Sequence, residues 1–204
     1  MARTPQDPQI RITEILDATE HLFAIKGYRG TTICDIAKKM GVAQGMFYYY
    51  FKSKEEILEA LLNRHTSALI SEIEAMLCSN ITPPQKIDLM VSILLHKARH
   101  NDGLLLNTLY DNQNLHIKDK LSRQFEHLLT PWLLKIIEEG VHTQYFHVFH
   151  PKTTLDFILA IIELLIDALY EKMPADLLSL RLQMAEALIE KALGAQEATL
   201  HISL

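Results

Sequence analysis

Asp35-Ile36-Ala37-Lys38-Lys39-Met40-Gly41-Val42-Ala43-Gln44-Gly45-Met46-Phe47-Tyr48-Tyr49-Tyr50-Phe51 decides how this chain folds. Two short helices that cross steeply need a small residue where their backbones approach, a residue at ease with positive φ in the turn, and apolar side chains pointing inward. Ala37 meets the first need and Gly41, four residues on, the second. Ile36, Met40, Val42, Phe47 and Tyr50 meet the third. An ordinary helical hairpin has no use for a small residue and a glycine at this fixed spacing, so the stretch reads as a helix-turn-helix whose second helix covers Gln44 to Phe51.

The flanking residues extend the helical pattern in both directions. Ile12, Ile15, Leu16, Leu22 and Phe23 follow the i, i+3, i+4 rhythm of an amphipathic helix over Ile10 to Lys26, which Gly27 stops. Thr32 is a good N-cap, with Asp35 three places on to receive the orphan amides. Ser53 before Lys54-Glu55-Glu56 starts a long helix running to about Cys78. Pro83-Pro84 can begin a helix but not continue one. Further helical segments are expected near 84–100, 104–111, 115–142, 152–171 and 175–193. The expected breaks contain Asn101-Asp102-Gly103, Asn112-Gln113-Asn114 and Pro174; Pro131 is expected to kink the 115–142 helix, and the tail after Gly194 to fray. The fold class is all-α: a three-helix head over 1–54 and a helical body over 55–204.

Composition supports this and removes alternatives. With 49% hydrophobic residues in 204, the chain can bury a real core, and seven Gly and seven Pro are few for a turn-rich β fold. Cys34 and Cys78 form no CxxC, Met1 to Gln9 has no apolar segment of a leader peptide, and the reading is a cytoplasmic protein with Cys34 buried and inert. The most apolar stretch, Leu155 to Leu169, is too short to span a bilayer and carries Asp156, Glu163 and Asp167, so no membrane partner is expected. The net charge of −5 conceals an asymmetry. Residues 1–54 hold eight Lys/Arg against five acids, a net of +3, and the remaining twelve bases and twenty acids give −8. Only the head is suited to a polyanion.

If the second helix of the motif enters a DNA major groove, Phe47, Tyr50 and Phe51 are used up inside. Gln44, Gly45, Met46, Tyr48 and Tyr49 then face outward. Gln44 is placed to bond base edges, Gly45 to permit close approach, and Met46 to meet a thymine methyl. Tyr48 and Tyr49 are phosphate candidates, as are Thr31 and Thr32 at one helix start and Lys54 at another.

Gly27-Tyr28-Arg29-Gly30-Thr31-Thr32-Ile33, Asp35-Ile36-Ala37 and the run from Gly41 to Glu55 resemble the head of the tetracycline-repressor (TetR) family, over about residues 10–62. The family often has Ser or Thr where this chain has Ala43 and Met46, a departure that bears on operator sequence. The resemblance implies an all-helical homodimer that represses transcription on double-stranded operator DNA and is released when a small-molecule effector binds the body. It also implies an effector pocket among the helices of about 55–170. There His65, His96, His100, Asn107, Tyr110, Phe125, Trp132, Glu163 and Asp167 are the polar or aromatic candidates.

The dimer is also argued from helix faces. On a helical wheel Asp156, Glu163 and Asp167 share one stripe about 40° wide, and the rest of that helix is apolar. Such a helix is expected to be shared between a core and a partner subunit. Ile158, Ile161, Ile162, Leu165, Ala168 and Leu169, with Leu178, Leu182, Ala185 and Leu188 on the last helix, are the interface candidates. His96 and His100 at i, i+4, and His142, His147 and His150 in a loop, lack a nearby Cys or carboxylate, so neither metal nor cofactor is expected. No nucleophile motif or glycine-rich phosphate loop argues for an enzyme. Two rival readings are a constitutive DNA-binding nucleoid or division factor of the same fold and a helical metal-binding or enzymatic bundle.

Overall fold

The computed structural model describes residues 7–110 and 115–203, excepting the side chains of 100–109, 115, 116, 118, 120–122, 124 and 125. Its elements are α1 (Pro8–Gly30), α2 (Ile33–Met40), a 3-10 turn (Gln44–Met46), α3 (Phe47–Tyr50), α4 (Lys54–Leu77), α5 (Pro83–Leu109), α6 (Leu115–His142), α7 (Pro151–Tyr170) and α8 (Ala175–Leu193). Every regular element among the described residues is helical, as the sequence pattern requires. The chain forms two compact units, Met1–Ser67 and Ala68–Leu204.

The first unit holds α1, α2, the 3-10 turn and α3. The first half of α4 belongs to it, because Ile57, Leu58, Leu61 and Leu62 are buried there rather than in the body. Asp7 caps α1 by accepting the Gln9 N–H at 2.9 Å, with Pro8 in the first turn where its missing donor costs nothing. Gly27, at φ 73°, breaks the regular α1 geometry where the sequence placed a stop. Gly41, at φ 65°, takes the left-handed conformation that ends α2.

In the second unit, the apolar faces of α5, α6, α7, α8 and the end of α4 meet in one core that includes Ile73, Ile87, Leu95, Leu133, Ile137 and Ile158. Lys86 is buried and its ammonium contacts both oxygens of Glu139 at 2.8 Å, tying α5 to α6. Lys97 pairs with Glu72 at 2.5 Å, tying α5 to α4.

Four expectations fail here for identifiable reasons. α5 continues through Asn101-Asp102-Gly103, because a few poor helix formers cost about 1 kcal/mol each or less and do not outweigh the packed helix on either side. Residues 195–203 do not fray. Glu190 accepts the N–H groups of Ala198, Thr199 and Leu200, Asp88 that of His201, Glu186 that of Ile202, and the Ser92 hydroxyl that of Ser203. Leu200 and Ile202 thereby enter the body core. Cys34 is exposed, as is Cys78.

The fourth concerns residues expected at a subunit interface. Ile158, Ile162, Leu165, Ala168 and Ala185 are all 4% exposed or less within the single chain, so they pack in its own core. Ile161, Leu169, Leu178 and Leu182 are half-buried, and only Leu188 of the ten is exposed. An open apolar stripe flanks these buried faces: Phe157 and Leu164 on α7, and Leu177, Leu180, Met184 and Leu188 on α8. Apolar residues that face the chain's own core and those that face solvent look alike in sequence.

Candidate nucleic-acid interface

The reading unit begins with a firmly capped α2. The Thr32 hydroxyl accepts the Asp35 N–H at 3.1 Å, and Asp35 Oδ2 in return accepts the Thr32 N–H at 2.9 Å and its hydroxyl at 2.6 Å. Lys26 Nζ lies 2.9 Å from the other carboxylate oxygen. Hydrogen bonding from the Thr32 hydroxyl, then from Lys26, holds the Asp35 carboxyl well below the usual carboxylate range. The turn is closed by Gly41 N–H to the Lys38 carbonyl and Val42 N–H to the Ala37 carbonyl, both at 3.1 Å.

Beyond the turn, Gln44–Met46 forms a single 3-10 turn that feeds directly into α3. Phe47 is completely buried and Phe51 nearly so, which fixes the rotation of this segment about its axis. Gln44, Gly45, Tyr48 and Tyr49 face solvent as expected, with Tyr49 81% exposed. Met46 and Tyr50 are half-buried, and the Tyr49 and Tyr50 rings meet edge-on with centroids 5.0 Å apart. The outward set therefore combines one amide, one glycine and two phenols on a rigid apolar base.

Two of the residues expected at phosphates make contacts within the head. Thr31 is fully buried and its hydroxyl donates to the Gly27 carbonyl at 2.8 Å and that of Leu22 at 3.3 Å, so it closes the end of α1. Lys54 Nζ donates to the carbonyls of Tyr28 at 2.7 Å and Thr31 at 2.9 Å and sits 4.1 Å from the centre of the Tyr28 ring. The end of α1 leaves carbonyls without helical amides, and a cation is drawn to them. Thr32 is exposed, with its hydroxyl engaged in the cap. Lys38, Lys39 and Lys52 are exposed cations of the same unit, passed over in the sequence reading although they contribute to its positive balance. Their signal was the charge count alone, which names no position.

The effector candidates scatter. His65 belongs to the head unit, its Nε2 3.0 Å from Glu20 Oε1 on α1. His96 and Glu163 are exposed, and Trp132 packs half-buried against the body core. The side chains of His100, Asn107 and Phe125 lie outside the described residues. Tyr110 and Asp167 are brought together: the phenol donates to the carboxylate, and the Tyr110 ring stacks on Tyr170, centroids 4.3 Å apart. Burial, followed by this bond, pushes the Tyr110 phenol up. Tyr170 escaped the sequence reading because nothing in its neighbours marks it as a stacking partner. A solvent-open depression on the α6–α7 connection, lined by Val141, Gln144, Phe146, His147, Val148 and Phe149, contains none of the candidates. Among the described residues no group of three His, Cys, Asp or Glu is placed to hold a metal ion, and no helix is long and apolar enough to cross a membrane.

Residues 15–61 match the family model of bacterial regulatory proteins of the tetR family. The chain is 30% identical over 132 residues to the fatty acid metabolism regulator protein of Bacillus subtilis (strain 168), a match covering 64% of this chain and 68% of that protein. It is 29% identical over 135 residues to the nucleoid occlusion factor SlmA of Vibrio vulnificus (strain YJ016), covering 63% of this chain and 67% of that one. The crystal structure of the transcriptional regulator FadR from Bacillus subtilis in complex with stearoyl-CoA superposes with a TM-score of 0.68 at 25% identity, covering 87% of this chain and 97% of FadR. The capped helix-turn-helix, the all-helical body and these likenesses agree, and the chain belongs to the tetR family of bacterial transcriptional regulators.

Proposed function

We propose that the protein is a cytoplasmic, non-enzymatic repressor that binds a two-fold operator as a homodimer and leaves it when a long-chain acyl thioester occupies the body. The observation that carries the reading is the exposed face of Gln44, Gly45, Tyr48 and Tyr49, held in one orientation by the buried Phe47 and Phe51. A preorganised polar face on a short helix is what base readout in a major groove needs. The stripe of Phe157, Leu164, Leu177, Leu180, Met184 and Leu188 supports the dimer, because a monomer would leave all six in water. The effector class is supported by the likeness to a regulator crystallised with stearoyl-CoA.

Release follows from linkage: a ligand weakens DNA binding only if it prefers the DNA-incompetent state, and DNA weakens ligand binding by the same factor. α4 is continuous from Lys54 to Leu77 and joins head to body covalently, which makes it the coupler. Operator selected from random duplexes is titrated with protein, with and without stearoyl-CoA, and stearoyl-CoA is titrated calorimetrically with and without operator. A fall of roughly 5- to 150-fold, equal in both directions, is expected. The likeness to SlmA favours a second reading, a constitutive DNA-binding factor of the nucleoid. Tight operator binding unchanged by any acyl-CoA supports that one.

A further inference from the structure

The residues after α8 are held to the body by side chains rather than by helical bonds. Gly194, at φ 58°, ends α8 and fixes the point of departure: a Cβ there would lie 2.5 Å from the His147 carbonyl oxygen, and the His147 N–H donates to the Leu193 carbonyl at 2.8 Å. Beyond a turn at Glu197-Ala198, the consecutive N–H groups of Ala198 to Ser203 all go to side chains. Glu190 accepts those of Ala198 at 3.2 Å, Thr199 at 2.7 Å and Leu200 at 2.8 Å. Asp88 accepts that of His201 at 2.8 Å, Glu186 that of Ile202 at 2.7 Å and the Ser92 hydroxyl that of Ser203 at 3.0 Å. Glu186 and Glu190 stand on α8, Asp88 and Ser92 on α5, so the segment spans the two helices. Ala198, at φ 57°, is held in the left-handed region that an alanine enters only at a cost.

Leu200 and Ile202 are 1% and 7% exposed and belong to the same core as Ile87, Leu95, Leu133 and Ile158. The other buried members of that core sit on α4 to α8 or, for Phe146, on the α6–α7 connection. Interiors are close-packed, so a long apolar chain enters the body only if side chains leave it. Lifting residues 196–203 away removes two large apolar side chains from the core and breaks no backbone hydrogen bond of any helix. The carboxylates of Asp88, Glu186 and Glu190 are then left at the opening. They repel phosphate, so the end of an effector that arrives there is the apolar one. We infer that residues 196–203 are a built-in plug of the body, whose Leu200 and Ile202 hold the space taken by the apolar end of the effector and give it up when the effector binds. This rests on the acyl-thioester reading above. Because the plug must lift first, affinity for the effector follows how firmly the plug is seated.

The test uses full-length protein with stearoyl-CoA as the probe. Hydrogen exchange of the amides of residues 198–203, followed by mass spectrometry, is expected to quicken when the probe saturates wild type. Leu200→Ser/Ile202→Ser loosens the segment and is expected to bind the probe about 5- to 50-fold more tightly by calorimetry. Ala198→Gly removes the cost of the left-handed backbone, seats the segment more firmly and is expected to bind about 2- to 5-fold more weakly. A segment that serves only stability does not shift affinity in opposite directions. The exchange measurement and Ala198→Gly leave the core untouched, so they decide the matter if the double variant does not fold. Tail exchange that is unchanged or slowed by bound probe, or wild-type affinity in Ala198→Gly, overturns the inference and leaves the proposed function standing. Absence of probe binding in both wild type and the folded double variant overturns the acyl-thioester reading and the inference with it.

Discussion

Gln44 and Lys54 are both polar, both near a helix start and both plausible DNA contacts in sequence, yet their surroundings give them different consequences. Gln44 is exposed beside a glycine on the face proposed to read bases, so Gln44→Ala is expected to lose about 1–3 kcal/mol on the best operator and to relax one base position in each half-site. Quantitative binding to single-base operator variants checks this. Lys54 binds the Tyr28 and Thr31 carbonyls and lies over the Tyr28 ring. Lys54→Met is therefore expected to destabilise the head by about 1–3 kcal/mol, seen as a lowered unfolding midpoint without DNA, rather than merely to reduce the salt dependence of binding by one phosphate contact. An unfolding curve identical to wild type would return Lys54 to the phosphate-binding set.

At the scale of elements, α2 tests the capping argument through pH. The Asp35 carboxyl ionises below its ordinary range in the folded head, so the stabilisation it gives is present above the unfolded value of about 3.9 and is lost as pH falls from there toward the folded value. Melts of wild type and Asp35→Asn are expected to differ at pH 7 and to converge as the pH drops below about 4. Thr32→Ala, which removes the cap acceptor, is expected to cost about 1 kcal/mol. At the other end of the chain, deletion after Gly194 strips Leu200 and Ile202 from the core and leaves the Asp88, Glu186 and Glu190 carboxylates without their amides. A loss of about 3 kcal/mol or more, read by urea unfolding, is expected from the apolar burial alone. The capped starts at Thr32 and Ser53 and the turn at Gly41 were legible in sequence because each depends on neighbours a few residues away. The tail was not, since its partners lie on α5 and α8 up to 113 residues distant and no local pattern announces them. Tyr110 and Asp167 were legible as candidates, but their pairing across 57 residues was not.

For the whole molecule, the proposed dimer surface makes two neighbouring leucines diverge. Leu164 is exposed on the open stripe and Leu165 is 1% exposed in the core. Leu164→Glu is expected to give folded monomers with weakened operator binding, whereas Leu165→Glu buries an unpaired charge and is expected to give unfolded or aggregated protein. Sedimentation and circular dichroism separate the two, and a fully dimeric Leu164→Glu protein would place the interface elsewhere. Beneath all of this lies the claim that the outward face of residues 44–49 reads base sequence. The measurement that addresses it most directly is selection of bound duplexes from a random pool by wild type and by Gln44→Ala. The account predicts a two-fold symmetric site for wild type, with the same symmetry but one base preference lost per half-site in the variant. Identical base preferences in the two proteins, or no preferred sequence for wild type, would contradict it.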